Sequence, residues 1–256
     1  AVTHRFLTDC AGYPVDTNNT CTVTATPVSD AVTFAVAGET VVIDGGTYVE
    51  QVYIDKNITL RGINGATIQS PDTLTASFTS SKVNKPIIFV EGADNVTIEG
   101  LTIDGAGKGN ANYRFNGIGF HNAGGSILNN IITAIRDTPF SGSQHGVGLN
   151  VWNDDGGDYT INVIGNTFTD FQKNAMAIAV GGSTNLTVDV SDNTVVGAGD
   201  TQVTAQNGIQ VYNAGTGEVT GVIDNNEVRD MRYTPANWTA SGILIYYATT
   251  NLQVTN

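Results

Sequence analysis

The stretch GIGFHNAGGSILNNIITAIRD, Gly117 to Asp137, decides the fold, because the chain on either side repeats its grammar. A short apolar strand (Gly117 to Phe120) meets a polar turn, a second strand follows (Ser126 to Leu128), an Asn pair bends the chain, and a third strand leaves (Ile131 to Ile135). Aligning the bend between second and third strands gives Gly62, Gly100, Asn130, Asn166, Asn193, Asn226 and Asn256, roughly thirty residues apart, which is the period of a solenoid. First strands keep the same beat at Ile87, Gly117, Gly146, Ala175, Gly208 and Gly242, and second strands at Val96, Ser126, Thr160, Leu186, Val219 and Leu252. Asn and Gly tolerate left-handed backbone, so a column held by them predicts one sharp bend per coil. Three short strands per turn, rich in Val, Ile and Thr, pair in parallel when coils stack ~4.8 Å apart. The expected fold is all-β, a right-handed parallel β-helix of about six or seven three-strand coils.

On these residues the chain resembles the pectin-lyase-like superfamily over nearly all of its length. Gly38 to Ser70, GETVVIDGGTYVEQVYIDKNITLRGINGATIQS, looks like the entry coil shared by pectinesterases, NosD-like periplasmic proteins and other secreted β-helices. The resemblance lies in the GETVVI entry, the GGTY bend at Gly45 to Tyr48 and the KNITLRG strand at Lys56 to Gly62. It implies a fold and leaves the chemistry open, since lyases, hydrolases, esterases, adhesins and tail spikes share it.

A solenoid has one continuous core, so residues 29–256 are expected to form a single β-helix domain, preceded by an extended appendage over residues 1–28. Within the appendage, AVTHRFLTD reads as extended, and Thr22 to Val28 alternates like an edge strand closed by Pro27. Ser29 reads as the N-cap of a short helix at about 29–38, ended by Gly38, that plugs the open end of the solenoid. Cys10 and Cys21 lie in a polar segment with little core of its own, where a disulfide is expected. Together with abundant Gly, Thr, Asn and Val, that points to a secreted or cell-surface protein, and Ala1 reads as the start of a processed chain. A net charge of −13 with only 11 Lys and Arg argues against nucleic acid as a partner. No apolar run reaches the ~20 residues that cross a bilayer.

Loops of varied length follow the third strands, at Asp104 to Asn116, Arg136 to Gly146, Gly197 to Gly208 and Arg229 to Ser241. They should stack on one edge and carry any binding surface. That edge holds Tyr113, Arg114, Phe115, Phe140, His145, Arg232, Tyr233 and Trp238, a mixture of rings and guanidinium groups suited to stacking on sugars or to anchoring the loops themselves. NDDGGD, Asn153 to Asp158, gathers Asp154, Asp155 and Asp158 as candidate Ca²⁺ ligands, although the spacing matches no standard calcium loop. For an enzyme, the resemblance implies an Arg or Lys base for a lyase, clustered Asp for a hydrolase, and an Asp pair with Arg and Gln for an esterase. Arg136, His145, Asp154, Asp155 and Lys173 are the residues that could serve a polysaccharide lyase or glycoside hydrolase. The chain departs from those patterns: His145 lies in QHG rather than GHG, no R-x-K follows, and the pectinesterase Q-D and D-F-x-F motifs are missing. Five sequons occur; Asn57, Asn95 and Asn185 repeat at one coil position as a turn preference, leaving Asn18 and Asn237 as candidates for glycosylation.

The strand pattern reaches Leu252 to Asn256 in mid-coil. A raw solenoid end templates strand pairing, so the functional expectation is a non-catalytic structural protein that self-associates end to end as a homo-oligomer or filament. The alternatives are a carbohydrate-active enzyme and a polysaccharide-binding adhesin.

Overall fold

The computed structural model describes residues 3–12, 15–247 and 251–256. Three parallel sheets run the length of the molecule, and each coil gives one strand to each sheet. First strands, such as Phe115–His121 and Val147–Asn153, form a seven-stranded sheet. Second strands, such as Gly125–Leu128, form an eight-stranded sheet, and third strands, such as Ile131–Thr133, a seven-stranded one. Each strand pairs with its counterparts one coil before and after, which makes the right-handed parallel β-helix that the repeat predicts.

Inward positions stack in register. In the second-strand sheet Leu60, Ile98, Ile127, Val163, Val190 and Ile223 form one column, each at most 1% exposed. Ile54, Val90, Phe120, Val151, Ile178 and Val211 form another in the first-strand sheet, all fully buried. Their next members break the pattern: Val254 and Ile245 in the last strands are 48% and 36% exposed, as is Ile243, which follows the buried Ile209 and is 38% exposed.

The bend between second and third strands departs from its expected geometry. The left-handed residues are Asn129 (φ 54°), Gly165 (φ 70°), Asp192 (φ 58°) and Asn225 (φ 50°), each one position before the aligned Asn. Asn130, Asn166, Asn193 and Asn226 instead turn their amides inward as a ladder. Asn130 Nδ2 donates to Asn166 Oδ1 at 3.1 Å, Asn166 Nδ2 to Asn193 Oδ1 at 3.0 Å, and Asn193 Nδ2 to Asn226 Oδ1 at 2.9 Å. Each amide also donates to a backbone carbonyl of the preceding coil, at Ile98, Ile127, Val163 and Val190. A repeated Asn is therefore needed for its two-sided hydrogen bonding, which Gly cannot supply. Gly100 (φ 66°) pairs in register with the left-handed column, and Asn256 follows Thr255 into it, so neither belongs to the ladder.

The N-terminal expectations are corrected in detail. Strand Asn19–Val23 pairs in parallel with Thr3–Leu7, and the Cys10–Cys21 disulfide ties the connection between them. Pro27 does not close a strand; it begins the helix, which spans Pro27–Phe34 rather than 29–38, with Thr26 at the N-cap position. Pro suits the first helical position, and the first-turn donors are met from the next coil. Glu50 accepts from Val28 N (3.1 Å) and Ser29 N (2.9 Å). At the other end Lys56 Nζ donates to the carbonyls of Thr33 and Ala35, both at 3.2 Å. The helix covers the first coil as expected, burying Val28 and Val32.

Two segments expected as loops from Gly197 and from Arg229 begin as strand. Thr194–Thr201 pairs with Glu227–Tyr233, with a register shift between Val196 and Gly199. The connection from Ser70 to Asn84, between strands Ala66–Gln69 and Lys85–Glu91, folds instead across the outer face of the first-strand sheet.

Candidate functional site

The residues expected to act together lie on two sides of the first-strand sheet. Arg136, His145 and Lys173 precede first strands, whereas Asp154 and Asp155 follow strand Val147–Asn153, so a strand of about 20 Å separates the groups. Arg136 pairs with Asp170 and donates to the Asp137 carbonyl at 2.9 Å. Lys173 donates to the Ala205 carbonyl, and burial lowers its pKa. His145, only 3% exposed, holds Nε2 at 3.1 Å from Asp137 Oδ1 and accepts from Phe115 N at Nδ1 (3.4 Å). Gln172 Nε2 (3.3 Å) and the Ser141 hydroxyl bind the other Asp137 oxygen. This cluster fastens the loop from Arg136 to Gly146 and leaves no nitrogen of the imidazole turned to solvent.

The acidic turn does not converge either. Asp155 accepts from Gly157 N (2.9 Å) and the Tyr159 hydroxyl (2.7 Å); burial pushes its carboxyl up, but these bonds outweigh it and its pKa lies below the ordinary value. Asp154 Oδ2 accepts from Trp152 Nε1 at 3.0 Å, and Asp158 from Asn185 Nδ2 at 2.7 Å. Among the described residues no group of three or more His, Cys, Asp and Glu is gathered for a metal ion.

Of the expected binding edge, Phe115 is removed by burial: it is a core residue of its coil. Tyr113 lies exposed with its ring 5.1 Å from that of His145, and Arg114 reaches the hydroxyls of Ser80 (3.2 Å) and Ser81 (3.4 Å). Phe140 is half-buried beside Arg136 and Asp170. Arg232 pairs with Asp230, Tyr233 ends a strand, and Trp238 is exposed. Asn18 and Asn237 are exposed, whereas Asn57 Oδ1 accepts from Asn95 N (3.0 Å) and Asn185 bridges Asp158 and Glu218 N (2.9 Å), so these two serve the coil-to-coil turn.

The organised surface is the outer face of the first-strand sheet itself. Its outward residues form three columns along the helix axis. Glu91, His121, Trp152, Ala179, Tyr212 and Tyr246 pair in one register. Phe89, Gly119, Asn150, Ala177 and Gln210 make the middle column, and Asn116, Asn174 and Asn207 lie in the third. Trp152, Tyr212 and Tyr246 are half-exposed; Tyr212 and Tyr246 stack with centroids 4.8 Å apart. Burial raises the Tyr212 pKa and pushes that of Tyr246 up to about 12. Between the middle and third columns the amides interlock: Asn150 Nδ2 to Asn116 Oδ1 (3.2 Å), Asn174 Nδ2 to Gln210 Oε1 (2.9 Å), and Asn207 Nδ2 to the same oxygen (3.2 Å). The half-exposed rings and the half-exposed Ala177 and Gln210 beside them make a shallow trough, backed by amides that are themselves buried: Asn116, Asn174 and Asn207 are 1%, 4% and 6% exposed. At its N-terminal end His121 lies between two carboxylates, Nδ1 at 3.3 Å from Glu91 and Nε2 at 3.6 Å from Asp154. The signal for the ring column is plain alternation, since each ring follows an inward aliphatic residue: Val151 then Trp152, Val211 then Tyr212, Ile245 then Tyr246.

No family model and no curated protein matches the sequence. Among solved structures the chain is similar to that of a pectin methylesterase mutant in complex with a hexasaccharide, at 14% identity and a TM-score of 0.39, over 99% of this chain and 93% of that one. The parallel β-helix is established by the strand pairing itself. Among the described residues no helix is long and apolar enough to cross a membrane.

Proposed function

We propose that this protein binds an extended, uncharged glycan along the outer face of its first-strand sheet. The observation that carries the reading is the ring column: Trp152, Tyr212 and Tyr246 stand half-exposed in register beside the half-exposed Ala177 and Gln210 of the middle column. Aromatic rings offer large rigid area at low entropic cost, and the half-exposed amide of Gln210 can both donate and accept toward sugar hydroxyls. From Trp152 to Tyr246 the column spans about 14 Å at the coil spacing, which favours a chain of sugars over a single one. The net charge of −13, with Glu91 and Asp154 at one end of the trough, disfavours a polyuronate. The disulfide supports an exported setting. The separation of Arg136, His145 and Lys173 from Asp154 and Asp155 supports binding without turnover.

Electrophoresis through gels containing xylan, glucomannan or galactan tests this, with polygalacturonate and alginate as acidic comparators. Retardation is expected in a neutral gel, unaffected by a calcium chelator, and lost in Trp152→Ala and Tyr212→Ala. Unretarded migration of the folded protein in every gel overturns the reading.

The exposed Val254, Ile243 and Ile245 support a second reading, in which another polypeptide segment covers the last strands. The helix Pro27–Phe34 covers the first coil, so stacking bare coil on bare coil between copies would require that helix to move. Sedimentation velocity over a concentration series distinguishes the cases: a mass that rises with concentration and falls back in Ile245→Lys supports self-association, and a constant monomer mass removes it.

A further inference from the structure

The trough is open over Ala177 and closed over Gly119, and one ring makes the difference. Phe78, 2% exposed, comes from the connection Pro71 to Asn84 and lies flat on the outer face. It stacks on Phe89 (centroids 5.5 Å, planes 9° apart) and on His121 (5.3 Å, 15°). A Cβ on Gly119 would come within 3.0 Å of its Cε1, so the floor glycine is what lets the ring lie down. Phe78 therefore occupies, over Gly119, the same place against the middle and ring columns that stands open farther along.

The segment carrying Phe78 is built as a strap. From Ala76 to Val83 it is exposed or half-exposed apart from Phe78. Its hydrogen bonds close on itself or on its own base: Ser77 N to the Asn84 carbonyl (2.9 Å), Ser80 N to the Lys82 carbonyl (3.1 Å), and Asn84 Nδ2 to Ser80 Oγ and the Lys82 carbonyl, both at 3.1 Å. Outside those, Arg114 reaches the Ser80 and Ser81 hydroxyls. The two ends are firm, through Gln51 on Thr75 (2.8 and 3.0 Å) and Asn150 on Asn84 (3.1 Å). A tip that keeps its own hydrogen bonds when it lifts, between two pinned ends, leaves behind the two ring contacts of Phe78 and two hydroxyl contacts.

We infer that the face beneath Phe78, formed by Phe89, Gly119 and His121 and bordered by the exposed Tyr53, is a further subsite of the glycan trough, which the strap closes and a longer sugar chain opens by taking the place of the ring. This rests on the glycan-binding reading above. The ligand class is the same neutral glycan, because the uncovered surface is again ring, small floor and hydrogen-bonding edge: the Tyr53 hydroxyl already donates to Glu91 at 3.1 Å. A short oligosaccharide fills the open part over Trp152, Tyr212 and Tyr246. A longer one must displace Phe78, so its apparent affinity is reduced by the fraction of molecules with the strap lifted.

The experiment compares a trisaccharide with a hexasaccharide of whichever of xylan, glucomannan and galactan retards the protein. Calorimetry on the wild type, Phe78→Ala, Phe78→Tyr and the double variant Ser80→Ala with Ser81→Ala gives affinities, with melting curves as the control for folding. About tenfold tighter hexasaccharide binding is expected in Phe78→Ala, with the trisaccharide unchanged; Phe78→Tyr should behave as wild type, and the double serine variant should shift the hexasaccharide in the same direction by less. In the wild type, amide exchange over residues 76–83 should accelerate when the hexasaccharide is added. Hexasaccharide binding with unchanged exchange over 76–83, or affinities that Phe78→Ala leaves equal or weakens, overturns the strap and leaves the trough standing. No binding of either sugar to any of the proteins overturns both.

Discussion

The rings of Trp152 and Tyr212 approach to 6.4 Å although they stand on coils that are not neighbours, because the coil between them contributes only Ala179. The two rings close over that alanine and leave it 2% exposed. Continuity of the column thus depends on a methyl group. Ala179→Leu should drive the rings apart at a cost to stability of about 1–3 kcal/mol for overpacking, while abolishing retardation in the neutral gel that retains the wild type. Denaturant melting and gel mobility measured on the same preparation check it; retained retardation would mean that the rings act singly.

Asn166 is the best-connected rung of the inner ladder. Its Oδ1 accepts from Asn130 N (2.9 Å) and Asn130 Nδ2, and its Nδ2 serves the Ile127 carbonyl (2.7 Å) and Asn193. Asn166→Ala strands several buried groups at once, each costing about 1–3 kcal/mol, so a loss of at least roughly 3 kcal/mol is expected. Asn226→Ala, at the half-exposed end of the ladder, should cost less because water reaches the groups it frees. Urea melts of the two variants decide it, and equal small losses would show that the ladder is ornamental to stability.

These two columns show how far the repeat carries. Period, strand order and the inward aliphatic columns were legible, because period-two alternation and a fixed coil length are local properties of the chain. The Asn column was legible as a column, but its role was assigned to the wrong residue: hydrogen bonding between coils about thirty residues apart selects Asn130 and Asn166, while the left-handed bend falls on Asn129 and Gly165. The helix starts two residues before the expected position because the acceptor of its first-turn amides, Glu50, is distant in sequence. The polar loops hold the residue types of acid-base chemistry, yet His145 and Arg136 there fasten backbone. Trp152 and Tyr212 carry a site only once register aligns them across an intervening coil. Nothing local marks Phe78 as lying on Gly119.

Glu50 reaches two first-turn amides of the helix Pro27–Phe34, and a buried carboxylate accepting backbone N–H groups makes charge-assisted bonds. Glu50→Ala should destabilise the protein by about 2 kcal/mol and loosen the cap before the coils. Hydrogen exchange should quicken over residues 27–34 while the columns around Ile127 and Val163 stay protected. Uniform quickening would mean that the helix and the coils unfold as one unit.

His145 gives the fold a dependence on pH whose sign follows from its surroundings. Burial lowers its pKa, the Asp137 carboxylate opposes that, and the net direction is downward, with Arg114 adding to it. Phe115 N donates to Nδ1, so the neutral ring carries its proton on Nε2, toward Asp137. The unfolded chain takes up a proton near pH 6.5, and the folded one takes it up only at lower pH. Between those two points the unfolded state binds more protons, so stability is full above about pH 7 and falls on acidification, by up to about 1.4 kcal/mol per pH unit from this group. His145→Gln keeps an acceptor for Phe115 N and a donor for Asp137 but does not titrate. The stability advantage of the wild type over His145→Gln, measured by urea melts, should therefore be constant above pH 7 and shrink from pH 6.5 downward. An advantage that grows on acidification would mean that the imidazolium form is the one the loop holds, with Asp137 as its counter-ion.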